Sequence, residues 1–166
     1  MRLFDRKFKK FWRLYVAQSL LAMLTILAIV LTLNSVEQTA LIASLGASVF
    51  YAYCIPHSLA CRPRYMLGGY VIGTIIGCSL SLLADLIVTT MGGDYQTIHI
   101  IFGAIATGLT IFLMVTTDTE HPPAIALSLG YVLNEWDLGT VAVILAGISI
   151  ICIVRAVLRP KLINLL

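Results

Sequence analysis

Eight consecutive residues hold the densest chemistry in this 166-residue chain: Thr116-Thr117-Asp118-Thr119-Glu120-His121-Pro122-Pro123. Pro123 suits the first turn of a helix, where a missing N–H costs nothing. The apolar run behind it would then start as a helix with unbonded N–H groups and the positive end of its dipole, an arrangement suited to anions. The hydroxyls of Thr117 and Thr119 would add donors. Glu120 and His121 would pass a proton between them. Thr119, Glu120, His121, Pro122 and Pro123 therefore point to an anion or proton site. The plainer reading is an interfacial loop capped by polar residues.

A second group, Ser44, Gly46 and Ser48, lies in an earlier apolar run. Ser44 and Ser48 are one helical turn apart, so their hydroxyls share a face. They are candidates for substrate binding, although serines in apolar helices usually bond back to their own backbone. Gly69, Gly73 and Gly77 repeat every four residues and give one helix a stripe that another backbone can approach closely. Asp85 falls late in the same run and is either an intramembrane acid with a function or an interfacial one. His99 beside Tyr95 reads as interfacial. Cys54, Cys61, Cys78 and Cys152 form no CxxC pair, so small packing residues are a better reading than zinc ligands. Hydrolase, metalloprotease, P-loop and dinucleotide patterns are absent. No enzyme activity, cofactor or metal is expected.

Composition decides what surrounds these groups. Hydrophobic residues make up 60% and charged residues 11%, and mean hydropathy is +0.98. A soluble domain carries roughly 25% charge to face water, so the bilayer must be most of this chain's solvent. The reading is an all-α membrane protein. Long apolar stretches at 15–33, 66–88, 98–116 and 138–158 match the ~20 residues of a crossing. The first is long for a signal core and reads as a retained helix. Shorter stretches at 39–55 and 122–133 read as re-entrant or broken helices. The long-short-long order occurs twice, and Ala40-Leu41-Ile42-Ala43-Ser44-Leu45-Gly46 aligns with Ala124-Ile125-Ala126-Leu127-Ser128-Leu129-Gly130. Residues 15–90 and 98–160 are thus candidate repeats of a two-fold architecture, a common plan among transporters.

The division is a basic segment at 1–14, one transmembrane domain at 15–160 and a tail at 161–166. Six of the eleven Lys and Arg residues lie between Arg2 and Arg13, and others between Arg155 and Lys161. This favours a multi-pass protein of the cytoplasmic (inner) membrane with both ends cytoplasmic and gives no basic face for nucleic acid. Six crossings, or four with two re-entrant hairpins, both satisfy the ends. The glycine stripe suggests a homo-oligomer, a dimer or trimer.

The triplet His121-Pro122-Pro123 resembles the signature of the HPP family of integral membrane proteins. The blocks at 43–48 and 55–64, and the pair Gly68-Gly69, are similar to further blocks of that family, so the resemblance covers roughly 15–158. It departs at Ala124-Ile125-Ala126, where members are Gly-rich, and at Tyr70, where they often have His or Asn. The resemblance implies a compact bundle, usually described as four transmembrane helices. It also implies transport, since plastid and cyanobacterial members are linked to nitrite uptake. The functional expectation is a transporter or channel for a small inorganic anion, nitrite first, with proton coupling through His121. The alternative is a structural or partner-binding membrane subunit without a solute path. A third reading is a redox or metal protein using Cys and His. In the transporter reading, the starts of the two short segments, near 37–48 and 120–124, meet around a central polar cavity with His121 at its mouth or floor.

Overall fold

The structure, a computed structural model, describes residues 8–33 and 39–165. Among them are six α-helices and no strand: α1 (Phe8–Leu33), α2 (Thr39–Cys54), α3 (Pro63–Met91), α4 (Tyr95–Thr117), α5 (Pro123–Leu133) and α6 (Leu138–Leu158). Four are long and apolar enough to cross a membrane; α2 and α5 are shorter. This is the expected set of four long and two short helices. Acids cap two of the helix starts, and α4 begins three residues before the expected apolar run. Asp94 accepts from Thr97 N at 2.8 Å and Asp137 from Thr140 N at 2.7 Å. The Thr hydroxyls and amides hold both carboxyls below their ordinary pKa. The outer surface is apolar, with Leu31, Ile75, Phe112, Ile153 and Val157 all exposed. Helices satisfy their own backbone in hydrocarbon, and such side chains face lipid without the penalty they would meet in water.

Contacts at the helix ends fix the path of the chain. Cys54 O accepts from Leu165 N at 2.8 Å, and Gln18 on α1 donates to Tyr53 O. The early part of α1, the end of α2 and the C-terminal residues therefore meet at one end of the bundle. α3 leaves from there and α4 returns beside it. Arg64 Nη2 donates to Thr117 O at 3.0 Å, while His99 Nε2 lies 3.2 Å from Asp85 Oδ1 toward the other end. α5 goes out again and α6 returns, bringing Leu162 O within 3.1 Å of His57 Nε2. The chain thus makes six passes between the two ends, four on long helices and two on short ones. The fifth pass needs only the 11 residues of α5 because 119–122 climb part of the way without helix.

Charge follows these passes. Lys10, Arg13, Arg62, Arg64, Arg155, Arg159 and Lys161 all belong to the end where Gln18, Cys54 and Leu165 meet. Asp85, Asp94, Glu135 and Asp137 belong to the opposite end. The helix pairing is also unchanged when α1, α2 and α3 are exchanged for α4, α5 and α6. Ser44 Oγ donates to Leu41 O at 2.7 Å, and its aligned counterpart Ser128 donates to Ile125 O at 2.9 Å.

The glycine stripe is used inside the chain. A Cβ on Gly73 would lie 2.6 Å from Ala124 O, and one on Gly77 would lie 2.8 Å from Ser128 O. The α5 backbone occupies the space those side chains would fill. This corrects the reading of the stripe as a face for a second copy. We expect Gly73→Ala to push α5 away and cost about 1–3 kcal/mol. Gly108→Ala meets nothing within 4 Å and should be neutral or slightly stabilising, since Ala favours helix. Thermal midpoints of the two variants in detergent check this.

Candidate functional site

The site is assembled by the turn after α4. Asp118 ends that helix in the left-handed region, φ 55°, a conformation tolerated by Asp. Its amide and that of Thr119 both bond back to Met114 O. Outside, Asp118 accepts from Tyr65 Oη at 2.9 Å and pairs with Arg64 at 3.4 Å. The reversal directs 119–122 into the bundle along α3. There Gly68 and Gly69 admit them: a Cβ on Gly68 would be 2.7 Å from Thr119 Cγ2, and one on Gly69 would be 2.8 Å from His121 Cβ. Pro122 and Pro123 then start α5.

His121 is fully buried. Its ring lies 5.8 Å from that of Tyr51 and 5.7 Å from that of Tyr70. Nδ1 faces Ala60 O at 2.9 Å, and Nε2 faces Ser48 Oγ at 2.8 Å. A carbonyl only accepts, so Nδ1 carries the hydrogen in that bond. Ser48 Oγ also lies 2.8 Å from Tyr70 Oη and 3.1 Å from Ser44 O, and Tyr70 Oη lies 3.3 Å from Ser44 Oγ. Ser44 donates its own hydrogen to Leu41 O.

These distances allow two complete bonding patterns. With a neutral ring, Tyr70 donates to Ser48, Ser48 to His121 Nε2, and His121 Nδ1 to Ala60 O. With a charged ring, Nε2 donates to Ser48, Ser48 turns to Ser44 O, and Tyr70 turns to Ser44 Oγ. Burial holds the ring in the first pattern. His121 has only the neutral Ser48 hydroxyl and Ala60 carbonyl against its two nitrogens, and a charged ring without a counter-ion is costly in a buried site. The Ser48–His121 distance is also that of a nucleophile and its base. Ser48, however, is wholly buried and shares its oxygen with Tyr70.

The expected site residues separate. Ser44, Ser48 and His121 come together. Gly46 does not join them: a Cβ there would meet only Ile26 of α1, at 3.9 Å. Glu120 is half-buried and does not share a proton with His121, whose two nitrogens face Ala60 and Ser48. Thr119 donates to Thr117 Oγ1 at 2.8 Å, and Thr117 donates to Leu113 O, so neither hydroxyl has a hydrogen to spare. Pro122 is exposed and Pro123 buried. The idea of free N–H groups at the start of α5 is overturned. Both prolines lack the group, while Ala124 N bonds to His121 O and Ile125 N to Pro122 O. Of the two segment starts, 37–48 and 120–124, Ser48 and His121 meet, at 2.8 Å, but the first residues of α2 and α5 do not. The helices run antiparallel, with Ala40 and Leu41 at Gly130 and Ser48 at His121.

Two residues were under-read. Tyr70 is a full member of the network, and its i, i+4 relation to Thr74 was the available signal. His99 lies near the acidic end of the bundle and is buried there: its ring stacks on Tyr95 at 3.9 Å and Nε2 faces Asp85.

The family model described as HPP, transmembrane region, matches residues 8–163. The chain belongs to the HPP family. Neither a curated protein nor a solved structure matches it. In this HPP protein the triplet does structural and chemical work together: the histidine closes the network and the prolines open α5. As a member with four long apolar helices, it is a multi-pass integral membrane protein whose surroundings are lipid.

Ser48→Ala leaves Nε2 of a buried ring without its donor. We expect a cost of about 1–3 kcal/mol, read as a lower thermal midpoint in detergent. Gly46→Ala, away from the network, should leave the midpoint within error of the parent.

Proposed function

We propose that the protein transports a small inorganic anion across the membrane, nitrite being the leading substrate, and that His121 carries a proton with it. The carrying observation is the buried, fully bonded chain Tyr70–Ser48–His121 inside a lipid-facing bundle. An ionisable group within a membrane protein is costly to maintain and usually functional. No enzyme activity is part of this reading.

Coupling follows from burial. Alone, the ring stays neutral because a lone charge is poorly solvated in that buried site. An anion beside Ser48 and Tyr70 supplies the missing counter-charge and raises the ring's pKa. By linkage, the proton strengthens anion binding by the same factor. The pair then enters and leaves together, with little net charge in the low-dielectric interior. This replaces the picture of a permanently charged His121 near neutral pH that attracts the ion. It also replaces the backbone N–H site, which the start of α5 does not offer. The basic end of the bundle is the cytoplasmic side by the positive-inside rule, and the membrane is the inner one.

Proteoliposomes loaded with an indicator and challenged with nitrite, nitrate or chloride test this. Flux should rise as pH on the loading side falls toward the His121 range. His121→Gln retains hydrogen bonding but cannot take the proton, so its flux should drop about tenfold or more and lose its pH dependence at unchanged protein level. Wild-type protein that moves no small anion, or a variant identical to it, would sink the proposal.

A further inference from the structure

Above Tyr70, α3 carries Thr74, Cys78, Ser81 and Asp85. The spacings of 4, 4, 3 and 4 residues place all five on one helical stripe. Along it, polar partners come from the α5 side. Tyr131 is fully buried and its hydroxyl neighbours that of Thr74. Trp136 Nε1 donates to Ser81 Oγ at 3.0 Å, and its ring stands edge-on to Tyr131 at 5.8 Å. Ser81, Asp85 and Trp136 then line a cavity of about 700 Å³ at the acidic end.

Two groups in the middle of the stripe lack partners. Thr74 Oγ1 and Tyr131 Oη are buried, Thr74 at 8% exposure and Tyr131 at 0%, and neither completes a hydrogen bond. Buried hydroxyls are normally bonded, and leaving two of them unpaired beside each other costs stability. Orphaned groups of this kind mark either strain or a place where something else accepts their hydrogens.

We propose that Thr74 and Tyr131 form a second, mid-bundle station for the transported anion, between the His121–Ser48–Tyr70 site and the cavity at the acidic end. Both hydroxyls donate into it and Tyr70 forms its floor. An anion leaving Ser48 exchanges the Tyr70 bond for those of Thr74 and Tyr131, then passes Ser81 and Trp136 to the cavity. Neutral donors hold an anion weakly enough to release it. This proposal rests on the anion-transport reading above.

Thr74→Val and Tyr131→Phe remove the hydroxyls at nearly constant volume. Hydroxyls that bond within the fold would be missed, and their loss would lower the thermal midpoint. Hydroxyls kept for a passing anion would not: the midpoint should hold or rise while nitrite flux falls tenfold or more in the double variant. The residual flux should keep its pH dependence, because His121 is untouched, and Thr74→Ser should restore much of the loss at that position. Unchanged flux, or a lowered midpoint with flux lost in proportion to folded protein, would overturn the station. If wild-type protein moves no nitrite, the transport reading fails first. Hydroxyl-radical footprinting of wild-type protein then decides the station separately. A polar, solvent-reached station gives strong labelling of Tyr131 despite its burial, and an unlabelled Tyr131 overturns it.

Discussion

The structure depends on one close approach: the backbone of 119–131 lies against α3 where Gly68, Gly69, Gly73 and Gly77 have no side chains. Hydrocarbon gives no hydrophobic drive between helices, so their association relies on tight packing and hydrogen bonds. A Cβ at any of the four positions would come within 3.0 Å of the segment. Because the groove is that shallow and smooth, the chain can turn in at Asp118 and lower a polar loop into the bundle. His121 reaches Ser48 on α2 only because Gly69 lets its Cβ pass.

Other features close around that approach. The prolines start α5 at the level where the loop stops climbing, and they use up the helix start that would otherwise attract an anion. Arg155 donates to Pro56 O from a buried position on α6 and fixes the connection that carries Ala60. Ala60 O in turn sets which nitrogen of His121 holds the hydrogen. The tautomer at the centre of the bundle is therefore determined by contacts from α2, α3, α6 and the loops, and a shift in any of them changes the chemistry available at Ser48.

Much of this was legible in the chain. Apolar run lengths revealed four long and two short helices, because a crossing has a fixed length. The glycine stripe was visible, but its occupant was not: spacing reveals a face and says nothing of which helix covers it. Ser44, Ser48 and His121 were singled out by type and position, and they meet. Gly46 was not separable from them, since its direction depends on how α2 is rotated against α1. Glu120 and the free N–H groups failed for a related reason. Sequence shows which donors exist and cannot show which are already bonded, and here Ala124 and Ile125 turn back onto His121 and Pro122. Tyr70 was passed over as a departure from the family pattern, yet it supplies the hydroxyl that completes the network. The burial of His99 against Asp85 was not legible, because it requires the register between α3 and α4.

The account turns on a ring that is neutral when alone and charged when it has company. Titration of the His121 nitrogens by ¹⁵N NMR, with and without nitrite, tests this directly. Without the anion, Nδ1 should hold the hydrogen at pH 7 and the ring should be neutral. With nitrite, the midpoint should move up by a unit or more. A ring already charged at pH 7 without the anion, or a midpoint that ignores it, would contradict the account.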